Sequence, residues 1–582
     1  MRKLALAFMS EDPSFDSMTV AQLKVLLDEK GLSKSGKKSE LIERLNSNVT
    51  QNTIELSSSV WTRTVIGQFN LAQTVGSVAA ALLLVLVLFN PSILGFGEDE
   101  PVYEPIGFDA SQTRWYAQEL VDLGHPEWEG RMSGSAEEAA GAQMILDNLT
   151  EMGYSPQLNT YPVPMFAINS APIIAMCQPP AGGIFGGPVT GASCNSGVGA
   201  QVTTFEHRTD FVLQGYSGSA DIQFGQEMEL IDLDDGTEDS LWSDASGKVG
   251  IVRGGNSIDG NTGIYIKAAE FGLAAILRIN NQSNCGQIES DDCVPIFKSI
   301  RVDDMKAANS GSIPENIPFI AVSNNTGNQM LELASQGAFL RLFSDVDNAG
   351  DIAVSVPCGT LYGKSEDLII VGAHHDTVYH AQGAVDDTSG TATVLEMARQ
   401  LAIVANESGT PEYTIRFCTW GGEEEGLWGS KAYVGANAND LARNLRLYIN
   451  LDMNHVDIDI ANRGNSLRFF SNSAQDINAM EDVLEVLEKE RPDLFPKYTV
   501  STGLLAGERG EPNGMPYNSD HAPFVYDLPD GVTGNALLCY GSGSYEYHTY
   551  ADTMDRFNEE SLGVSVIAYG TYIRHLAWPV FG

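Results

Sequence analysis

Four apolar runs of the chain each end in residues that bind metal ions or carry protons. The runs begin LIIVGAHHD, YTIRFCTWGGEEEG, LRLYINLDMNH and NALLCYGSGSYEYHTYADT. From about residue 350 onward, such strand-like runs alternate with amphipathic helices, which is typical of an α/β fold with a mostly parallel central sheet flanked by helices. Because functional groups gather at the carboxyl ends of parallel strands, we expect these side chains to meet at one edge of the sheet.

The acidic groups at this edge need a counter-charge. Carboxylates without partners are expensive to bury, whereas two imidazoles and two divalent cations would balance them. A mixed set of imidazole and carboxylate ligands suits Zn²⁺. The candidate groups, including a loop after the first run, are His374, Asp376, Asp386, Asp387, Glu423, Glu424, Glu425, Asp452, His548 and Asp552.

Five short patterns occur in order in this part: His-x-Asp, Gly-Ala-x-Asp-Asp-x-Ser-Gly, Gly-Glu-Glu-x-Gly, Asn-x-Asp-Met and Tyr-His-Thr. Together they resemble the co-catalytic dizinc aminopeptidases of metallopeptidase family 28, over about residues 105–582. The resemblance implies the zinc aminopeptidase fold, two zinc ions per chain and a cis peptide bond between Asp386 and Asp387. The ligands that it implies are His374 and Asp452 for one ion, Glu424 and His548 for the other, and Asp386 as the bridge.

The same resemblance assigns the chemistry. Glu423 would be the general base and acid, because a carboxylate beside a zinc-bound water can take its proton and leave hydroxide to attack a carbonyl carbon. Tyr547 could donate a hydrogen bond to the developing oxyanion. Asp520 and His521, in the run NSDHAPF, are predicted to help bind the substrate, with a structural role as the alternative for His521.

Two further carboxylates are predicted to orient the histidine ligands. Asp376 would accept the second ring N–H of His374 and so fix its tautomer. Asp552 would do the same for His548. His375 lies between a ligand and its orienting group, and we expect it not to bind metal.

Residues 15–47 resemble the SAP domain, a small two-helix module often associated with DNA. The resemblance rests on the segment SMTVAQLKVLLDEKGLSKSGKKSELIERLN. The predicted helical hairpin could contact nucleic acid phosphates through Lys34, Lys37 and Lys38. Alternatively, it could bind only protein.

A long uncharged segment follows. From Thr64 to Gly97 there are 34 consecutive residues without Asp, Glu, Lys or Arg. We expect a transmembrane helix at 71–95, with a buried core helix as the alternative. Basic residues before this segment and acidic ones after it predict a single-pass protein of the cell membrane, with a cytoplasmic N-terminus and an extracellular peptidase domain.

Residues 205–345 resemble the protease-associated domain, an α/β insert, and we expect it to control substrate access or act as a lid. The zinc peptidase domain would then comprise residues 105–204 and 346–582. Among the seven cysteines, Cys177/Cys194 and Cys285/Cys293 could form local disulfides in an oxidising compartment. Cys418 and Cys539 lie in apolar, strand-like runs, and we expect both to be buried thiols.

The net charge of -42 limits the partners of the large domain, since residues 71–582 carry 68 acidic and 25 basic residues. Such a surface repels nucleic acid and anionic lipid, but it could attract the α-ammonium group of a peptide. The sequence therefore predicts a membrane-tethered dinuclear zinc exopeptidase that hydrolyses the N-terminal peptide bond of peptides. The alternatives are a zinc carboxypeptidase or dipeptidase on the same fold, or a non-catalytic ectodomain, a class that loses the metal ligands present here.

Overall fold

A computed structural model describes most of the chain. The residues described are 20, 23, 24, 27, 33–49, 64–66, 69–70 and 101–580, with gaps at 181–189, 196–198, 227, 254–259, 282, 289–291, 314–316, 349 and 458–463. The chain divides into two compact units, residues 1–100 and 101–582.

The described part of the first unit contains a helix and a short antiparallel strand pair. These elements are α1 (Lys38–Val49), β1 (Thr64–Ile66) and β2 (Phe69–Asn70). Helical residues also precede α1, and Leu23, Leu27 and Leu41 are fully buried. The Arg44 guanidinium donates to main-chain oxygens in the turn before α1. These features are consistent with the predicted helical hairpin.

The predicted membrane-spanning helix at 71–95 lies outside the described residues. Among the helices that the structure does describe, none is both long enough and apolar enough to cross a bilayer.

The second unit is an α/β structure, and its described residues form 17 further strands. The strands are β3 (Ser155–Pro164), β4 (Ala167–Gln178), β5 (Gln201–Phe205), β6 (Phe211–Leu213), β7 (Ala220–Ile222), β8 (Leu230–Asp232), β9 (Val249–Arg253), β10 (Ala275–Ile279), β11 (Phe319–Val322), β12 (Phe339–Asp347), β13 (Asp351–Leu361), β14 (Leu368–His374), β15 (Thr414–Trp420), β16 (Leu445–Leu451), β17 (Ser466–Ser471), β18 (Thr499–Leu504) and β19 (Ala536–Tyr540). The helices are α2 (Ala110–Val121), α3 (Ala136–Glu151), α4 (Ala192–Asn195), α5 (Asp239–Ser243), α6 (Gly260–Glu270), α7 (Val302–Ala308), α8 (Asn324–Ser335), α9 (Thr388–Ser408), α10 (Trp428–Asn444), α11 (Ala474–Glu490), α12 (His521–Tyr526) and α13 (Glu559–Ala577).

Eight strands form the main sheet, in the order β18-β17-β19-β16-β14-β15-β13-β3. The four central strands, β19, β16, β14 and β15, are parallel. On either side, β17 and β13 run antiparallel to their inner neighbours. The predicted α/β fold is confirmed, but the sheet is mixed.

Alternate residues of the central strands enter two apolar cores, one on each face of the sheet. Along β14, Ile369, Val371 and Ala373 belong to the core beneath α2, α9, α11 and α13. Leu368 and Ile370 belong to the core on the other face, beneath α10 and α12. A strand buried on both faces reads as a continuous apolar run, which is why LIIV was recognisable in the sequence.

A second lobe, residues 167–347, is inserted between β3 and β13. We call it the insert lobe. It has a five-stranded sheet, β6-β11-β10-β9-β8, and a four-stranded antiparallel sheet, β5-β4-β12-β7. The predicted boundary at 204/205 falls within β5, and β4 on one side of that boundary pairs with β12 on the other. The chain leaves the main sheet after Pro164 and returns at Asp351, and these two residues face each other across β3 and β13.

Three disulfides lie in the described part of the second unit. Two are the local pairs suggested by the sequence, Cys177–Cys194 and Cys285–Cys293. The third joins Cys358 to Cys418, so the prediction of a thiol at Cys418 was wrong. These two residues face each other across β13 and β15, an antiparallel pairing that the sequence did not reveal. Cys539 is a buried free thiol, as predicted.

Candidate metal centre

The predicted ligands lie at the carboxyl edge of the central parallel strands. His374 is the last residue of β14, Asp452 directly follows β16, and Glu424 lies in the loop after β15. Asp386 belongs to the loop between β14 and α9, and His548 follows β19. Since β14 pairs with β15 on one side and β16 on the other, three of these segments end side by side.

These five residues form two groups that share one carboxylate. The first group is His374, Asp386 and Asp452, and the second is Asp386, Glu424 and His548. Within each group, one potential ligand atom per residue lies within 4.8 Å of the others. The sharing is visible at the atoms of Asp386: Oδ1 lies 3.2 Å from Nε2 of His374, and Oδ2 lies 3.0 Å from Nε2 of His548.

The remaining ligand distances extend this pattern on both sides. Oε2 of Glu424 lies 2.9 Å from Nε2 of His548. Oδ1 of Asp452 lies 4.0 Å from Nε2 of His374. The two imidazoles therefore face carboxylates from both directions, and Asp386 stands between them.

Asp387, the neighbour of Asp386, holds the loop that carries the shared carboxylate. The Asp386–Asp387 peptide bond is cis. The side chain of Asp387 turns away from the cluster, and its Oδ1 accepts hydrogen bonds from Gly390 N at 2.8 Å, as the N-cap of α9, and from Met453 N at 3.0 Å. Gly390 has no room for a side chain, since a Cβ there would lie 2.3 Å from the carbonyl oxygen of Leu451. This close approach brings α9 against the end of β16.

The group that orients His548 is not the one predicted. Nδ1 of His548 lies 2.9 Å from the main-chain oxygen of Phe297 in the insert lobe. Asp552 instead accepts hydrogen bonds from the main-chain N–H groups of Val385 (2.8 Å) and Asp386 (3.1 Å). Asp552 therefore holds the loop that carries the shared carboxylate.

Asp376 connects two of the ligands. Nδ1 of His374 lies 3.1 Å from the main-chain oxygen of Asp376 and 3.4 Å from its Oδ1. Oδ2 of Asp376 accepts hydrogen bonds from Ser133 Oγ at 2.6 Å and from the main-chain N–H of Glu424 at 3.2 Å. One residue thus orients His374 and also positions the loop that carries Glu424.

His375 points away from the two ligand groups. Its Nε2 lies 2.8 Å from Oε1 of Glu138, a carboxylate on α3 that also accepts from the main-chain N–H of Ser355. This buried pair ties the end of β14 to α3 and β13. The prediction that His375 is not a ligand agrees with this placement.

The electrostatics of the cluster fit divalent cations. Nε2 of His374 and Oε1 of Glu424 are buried and have no hydrogen-bond partner among the described residues. Burial, together with the charge of Asp386, raises the pKa of Asp452 to about 6. Burial also raises the pKa of Glu424, with Asp386 adding to the effect. Carboxylates held this close are stabilised as anions by bound cations, and the donor set of imidazole nitrogens and carboxylate oxygens is one that zinc prefers.

Glu423 lies beside the ligands but faces open space. It is partly exposed and lines a cavity of about 470 Å³ together with Glu424, His548, Tyr547 and Lys298. Burial and the neighbouring carboxylates raise the pKa of Glu423 well above its usual range. A carboxylate with this placement can take up a proton in the cavity beside the ligand groups.

The two residues predicted to bind substrate, Asp520 and His521, are both buried and hydrogen-bonded within the protein. Asp520 is buried and accepts a hydrogen bond from Ser430 Oγ at 2.5 Å. Burial, with help from nearby carboxylates such as Asp376, raises its pKa to about 7. The imidazole of His521 is also buried, its Nε2 lies 2.6 Å from the main-chain oxygen of Pro516, and burial lowers its pKa to about 4. The contact of His521 is therefore with the protein's own backbone.

Sequence reasoning missed a buried arginine that braces the ligand loops. The Arg131 guanidinium donates hydrogen bonds to the main-chain oxygens of His375 (3.2 Å) and Gln382 (3.1 Å) and to Thr388 Oγ1 (2.6 Å). It is fully buried. Its only signal in the sequence is one arginine in the segment HPEWEGRMSGS between two predicted helices, and nothing in that segment indicates burial.

Comparison with known proteins agrees with this geometry. Residues 358–569 match the model of Peptidase family M28, and residues 14–50 match the SAP domain. The first of these matches contains all five residues of the ligand groups.

Curated relatives include aminopeptidases and probable carboxypeptidases. The aminopeptidase YwaD of Bacillus subtilis is 28% identical over 42% of this chain and 48% of its own length. An aminopeptidase of Pseudomonas aeruginosa is 30% identical over 47% of this chain and 50% of its own length. The probable glutamate carboxypeptidase VP8 of Zea mays is 31% identical over 34% of this chain and 26% of its own length. The chain thus spans between a quarter and a half of the length of these relatives.

Solved structures share the fold. A zinc aminopeptidase from Bacillus subtilis aligns with a TM-score of 0.55 and 18% identity, covering 81% of this chain and 97% of the other. An aminopeptidase from Aneurinibacillus sp. strain AM-1 aligns with a TM-score of 0.50 and 20% identity, covering 81% and 95%. The chain is therefore similar to Peptidase family M28 in the sequence of residues 358–569, and the fold of its second unit is similar to that of the solved aminopeptidases.

Proposed function

We propose that the second unit is a dinuclear zinc exopeptidase that hydrolyses the N-terminal peptide bond of peptides. The observation that carries this proposal is the geometry of Asp386, whose two oxygens lie 3.2 and 3.0 Å from the ring nitrogens of His374 and His548. A carboxylate that faces two imidazoles from two different oxygens is suited to bridge two metal ions. The open cavity beside it gives a peptide access to the same groups.

The proposed ligands divide into two sets. His374 and Asp452 would hold one zinc ion, Glu424 and His548 would hold the other, and Asp386 would contact both. When bound, two zinc ions would polarise the scissile carbonyl and make a water molecule more acidic. The partners of these side chains, such as the Asp376 oxygens beside His374, keep each ligand in one orientation.

In this proposal Glu423 moves the proton. Its carboxylate lines the cavity next to Glu424 but belongs to neither ligand group. It takes a proton from the attacking water and delivers that proton to the leaving amine. A positioned general base of this kind contributes about 10²–10⁴-fold to the rate.

Tyr547 is proposed to stabilise the negative charge that develops on the carbonyl oxygen. It precedes His548, its ring stacks on that imidazole with centroids 3.8 Å apart, and it lines the cavity. A donor in this position acts on the oxyanion more than on the substrate carbonyl, which is how such a group accelerates the reaction. Asp520 is not among the residues that line the cavity and would contribute a buried carboxylate near the ligand groups.

The second candidate is a carboxypeptidase or dipeptidase activity. The cavity wall includes three cationic side chains, Lys298, Arg301 and Lys431, which could bind a substrate carboxylate. Asp303 and Asp304 lie on the same wall, so a free amino group also finds an opposite charge there. Relatives of both kinds match this chain, since some are named probable glutamate carboxypeptidases and others aminopeptidases.

A peptide panel decides between these activities. The full chain, loaded with zinc, is assayed on one peptide with both ends free, with an acetylated N-terminus and with an amidated C-terminus. Aminopeptidase action predicts that acetylation stops cleavage and amidation does not. The reverse pattern would establish the carboxypeptidase, loss of cleavage with either block would establish the dipeptidase, and no cleavage of any peptide would favour a non-catalytic ectodomain.

We further propose that residues 71–95 span the cell membrane once and that the peptidase unit lies outside the cell. The uncharged run from Thr64 to Gly97 supports a membrane span. Three disulfides in the second unit support an oxidising compartment for it. The SAP module would then lie in the cytoplasm, with nucleic acid or a protein as its partner.

A further inference from the structure

One loop of the insert lobe contacts two of the proposed metal ligands, His548 and Glu424. Phe297 forms two main-chain contacts with the ligand His548: its oxygen lies 2.9 Å from Nδ1, and its N–H donates to the His548 oxygen at 3.1 Å. Two residues further on, Ser299 Oγ donates to the main-chain oxygen of Glu424 at 2.6 Å. Between these two residues stands Lys298.

The side chain of Lys298 contacts Tyr547. Its Nζ lies 2.7 Å from the phenolic oxygen and also lines the cavity that contains Glu423. An ammonium group has three donors and no acceptor. In this hydrogen bond the tyrosine oxygen must therefore be the acceptor, and the hydrogen of its own hydroxyl remains available for another group.

Hydrogen bonds to Gln214 and Gly215 of the insert lobe hold the backbone of Lys298 in place. Its N–H donates to Oε1 of Gln214 at 2.9 Å, and its carbonyl oxygen accepts from Gly215 N at 3.2 Å. Gln214 directly follows β6 in the five-stranded sheet of the insert lobe. Its side chain accepts the hydrogen bond from Lys298 N and donates one to the main-chain oxygen of Ile296. The ammonium group is thus presented to the site by a fixed part of the lobe.

We propose that Lys298 is a positioning residue that makes Tyr547 a hydrogen-bond donor to the reacting carbonyl oxygen. By occupying the acceptor side of the phenol, it directs the remaining hydrogen into the cavity, where the oxyanion forms. This inference rests on the proposed peptidase function. It assigns the insert lobe a part in the chemistry, in addition to any control of access.

Kinetics of single and double variants test this role. Lys298→Met keeps the length of the side chain and removes the donor, and it should lower kcat about 10–100-fold, as for other groups that orient a catalytic residue, with little change in KM. Tyr547→Phe should have an effect at least as large. Because Lys298 acts through Tyr547, the double variant should be no slower than Tyr547→Phe alone, whereas two independent effects would multiply.

Further variants separate positioning from folding. Lys298→Arg retains a donor-only cation and should recover much of the lost kcat. Lys248→Met is the matched control, since Lys248 lies in the same lobe and pairs with Glu229. Zinc content and thermal stability should be unchanged in all of these variants.

Binding supplies a readout that does not depend on turnover. L-leucine boronic acid forms a tetrahedral boronate that places an oxygen where the oxyanion would develop. Its affinity, measured by calorimetry on the zinc-loaded chain, should fall about 10–100-fold in Lys298→Met, whereas the affinity for L-leucine should not change. Equal affinities of the wild type and this variant for the boronate, or equal kcat values, would overturn the role of Lys298 while leaving the peptidase intact. A wild-type chain that cuts no peptide would overturn the proposed function and this inference with it.

Discussion

Glu423 and Glu424 are adjacent and chemically identical, yet the same substitution should affect them differently. Glu424→Gln should release zinc, because Oε2 of Glu424 lies 2.9 Å from Nε2 of His548 and the residue belongs to a ligand group. Glu423→Gln should keep the zinc, because Glu423 lines the cavity outside both groups. The difference follows from their placement, since only Glu424 belongs to a ligand group although both residues line the cavity.

The size of each effect can be estimated. Removing a general base lowers kcat by about 10²–10⁴-fold, which corresponds to about 3–5 kcal/mol of transition-state stabilisation. KM should change little, because Glu423 acts in the proton transfer of the chemical step and not in substrate binding. At Glu424, a neutral amide replaces one of the two anionic ligands in its group, so zinc content should fall from about two ions per chain towards one.

The measurement needs both metal analysis and kinetics on the same preparations. Zinc per chain is determined by mass spectrometry after gel filtration, and kcat and KM are determined with a leucine p-nitroanilide substrate. Glu488→Gln, an exposed position on α11, serves as the control. If Glu423→Gln loses zinc while Glu424→Gln keeps it, the assignment is off by one residue. Full activity in Glu423→Gln would place the base elsewhere.

Four other results are expected. Asp386→Ala should lose both zinc ions, whereas Asp452→Ala should lose one; equal losses by metal analysis would exclude a shared ligand. Chelation with 1,10-phenanthroline should abolish turnover and lower the melting temperature, and zinc should restore both, but calcium should not. Replacing Cys358 and Cys418 with alanine should cost about 2–5 kcal/mol of unfolding free energy in urea, since the disulfide closes a chain segment of 60 residues; an unchanged midpoint would contradict this. Protease added to intact cells should remove the peptidase unit and spare the segment before 71–95, and protection of that unit would refute the proposed topology.

The ligand residues could be predicted from the sequence because four of the five follow apolar, strand-like runs, and the resemblance to metallopeptidase family 28 then indicated which of the candidate groups are ligands. His374 terminates β14 and Asp452 follows β16 directly, so the apolar runs LIIV and LYINL fixed their positions relative to the sheet. Parallel pairing then brings the ends of neighbouring strands together without further information. The order of the strands was not needed for this step.

The groups that orient the ligands depend on contacts between distant parts of the chain. Phe297 and His548 are 251 positions apart, and the sequence around Phe297 is an ordinary apolar stretch. The same limitation explains the error at Cys418, whose partner Cys358 becomes its neighbour only through the pairing of β13 with β15. Every residue has a main-chain carbonyl, so residue types do not show which carbonyl will accept a hydrogen bond. For this reason the sequence indicated the carboxylate of Asp552, and not the carbonyl of Phe297, as the partner of His548.

The contacts of the insert lobe also limit how it can move. We expected this lobe to govern access as a lid, and such a lid would separate from the site when it opens. The hydrogen bonds that would break on opening include four beside the metal centre: two between Phe297 and His548, one from Ser299 to Glu424 and one from Lys298 to Tyr547. At about 0.5–1.5 kcal/mol each, their loss would cost about 2–6 kcal/mol.

An opened lobe would also leave His548 without the carbonyl that fixes its ring, so the open state would hold the second zinc less well. Substrate entry by lifting the whole lobe is therefore coupled to loosening of the metal centre. The cavity offers another route for the substrate. Its wall runs from Lys298 and Ser299 through α7 to Trp428 and Tyr517, and entry through it does not require these four bonds to break. The lobe is better understood as one wall of the candidate site, and a peptide could reach the ligand groups through the open cavity while the lobe stays in place.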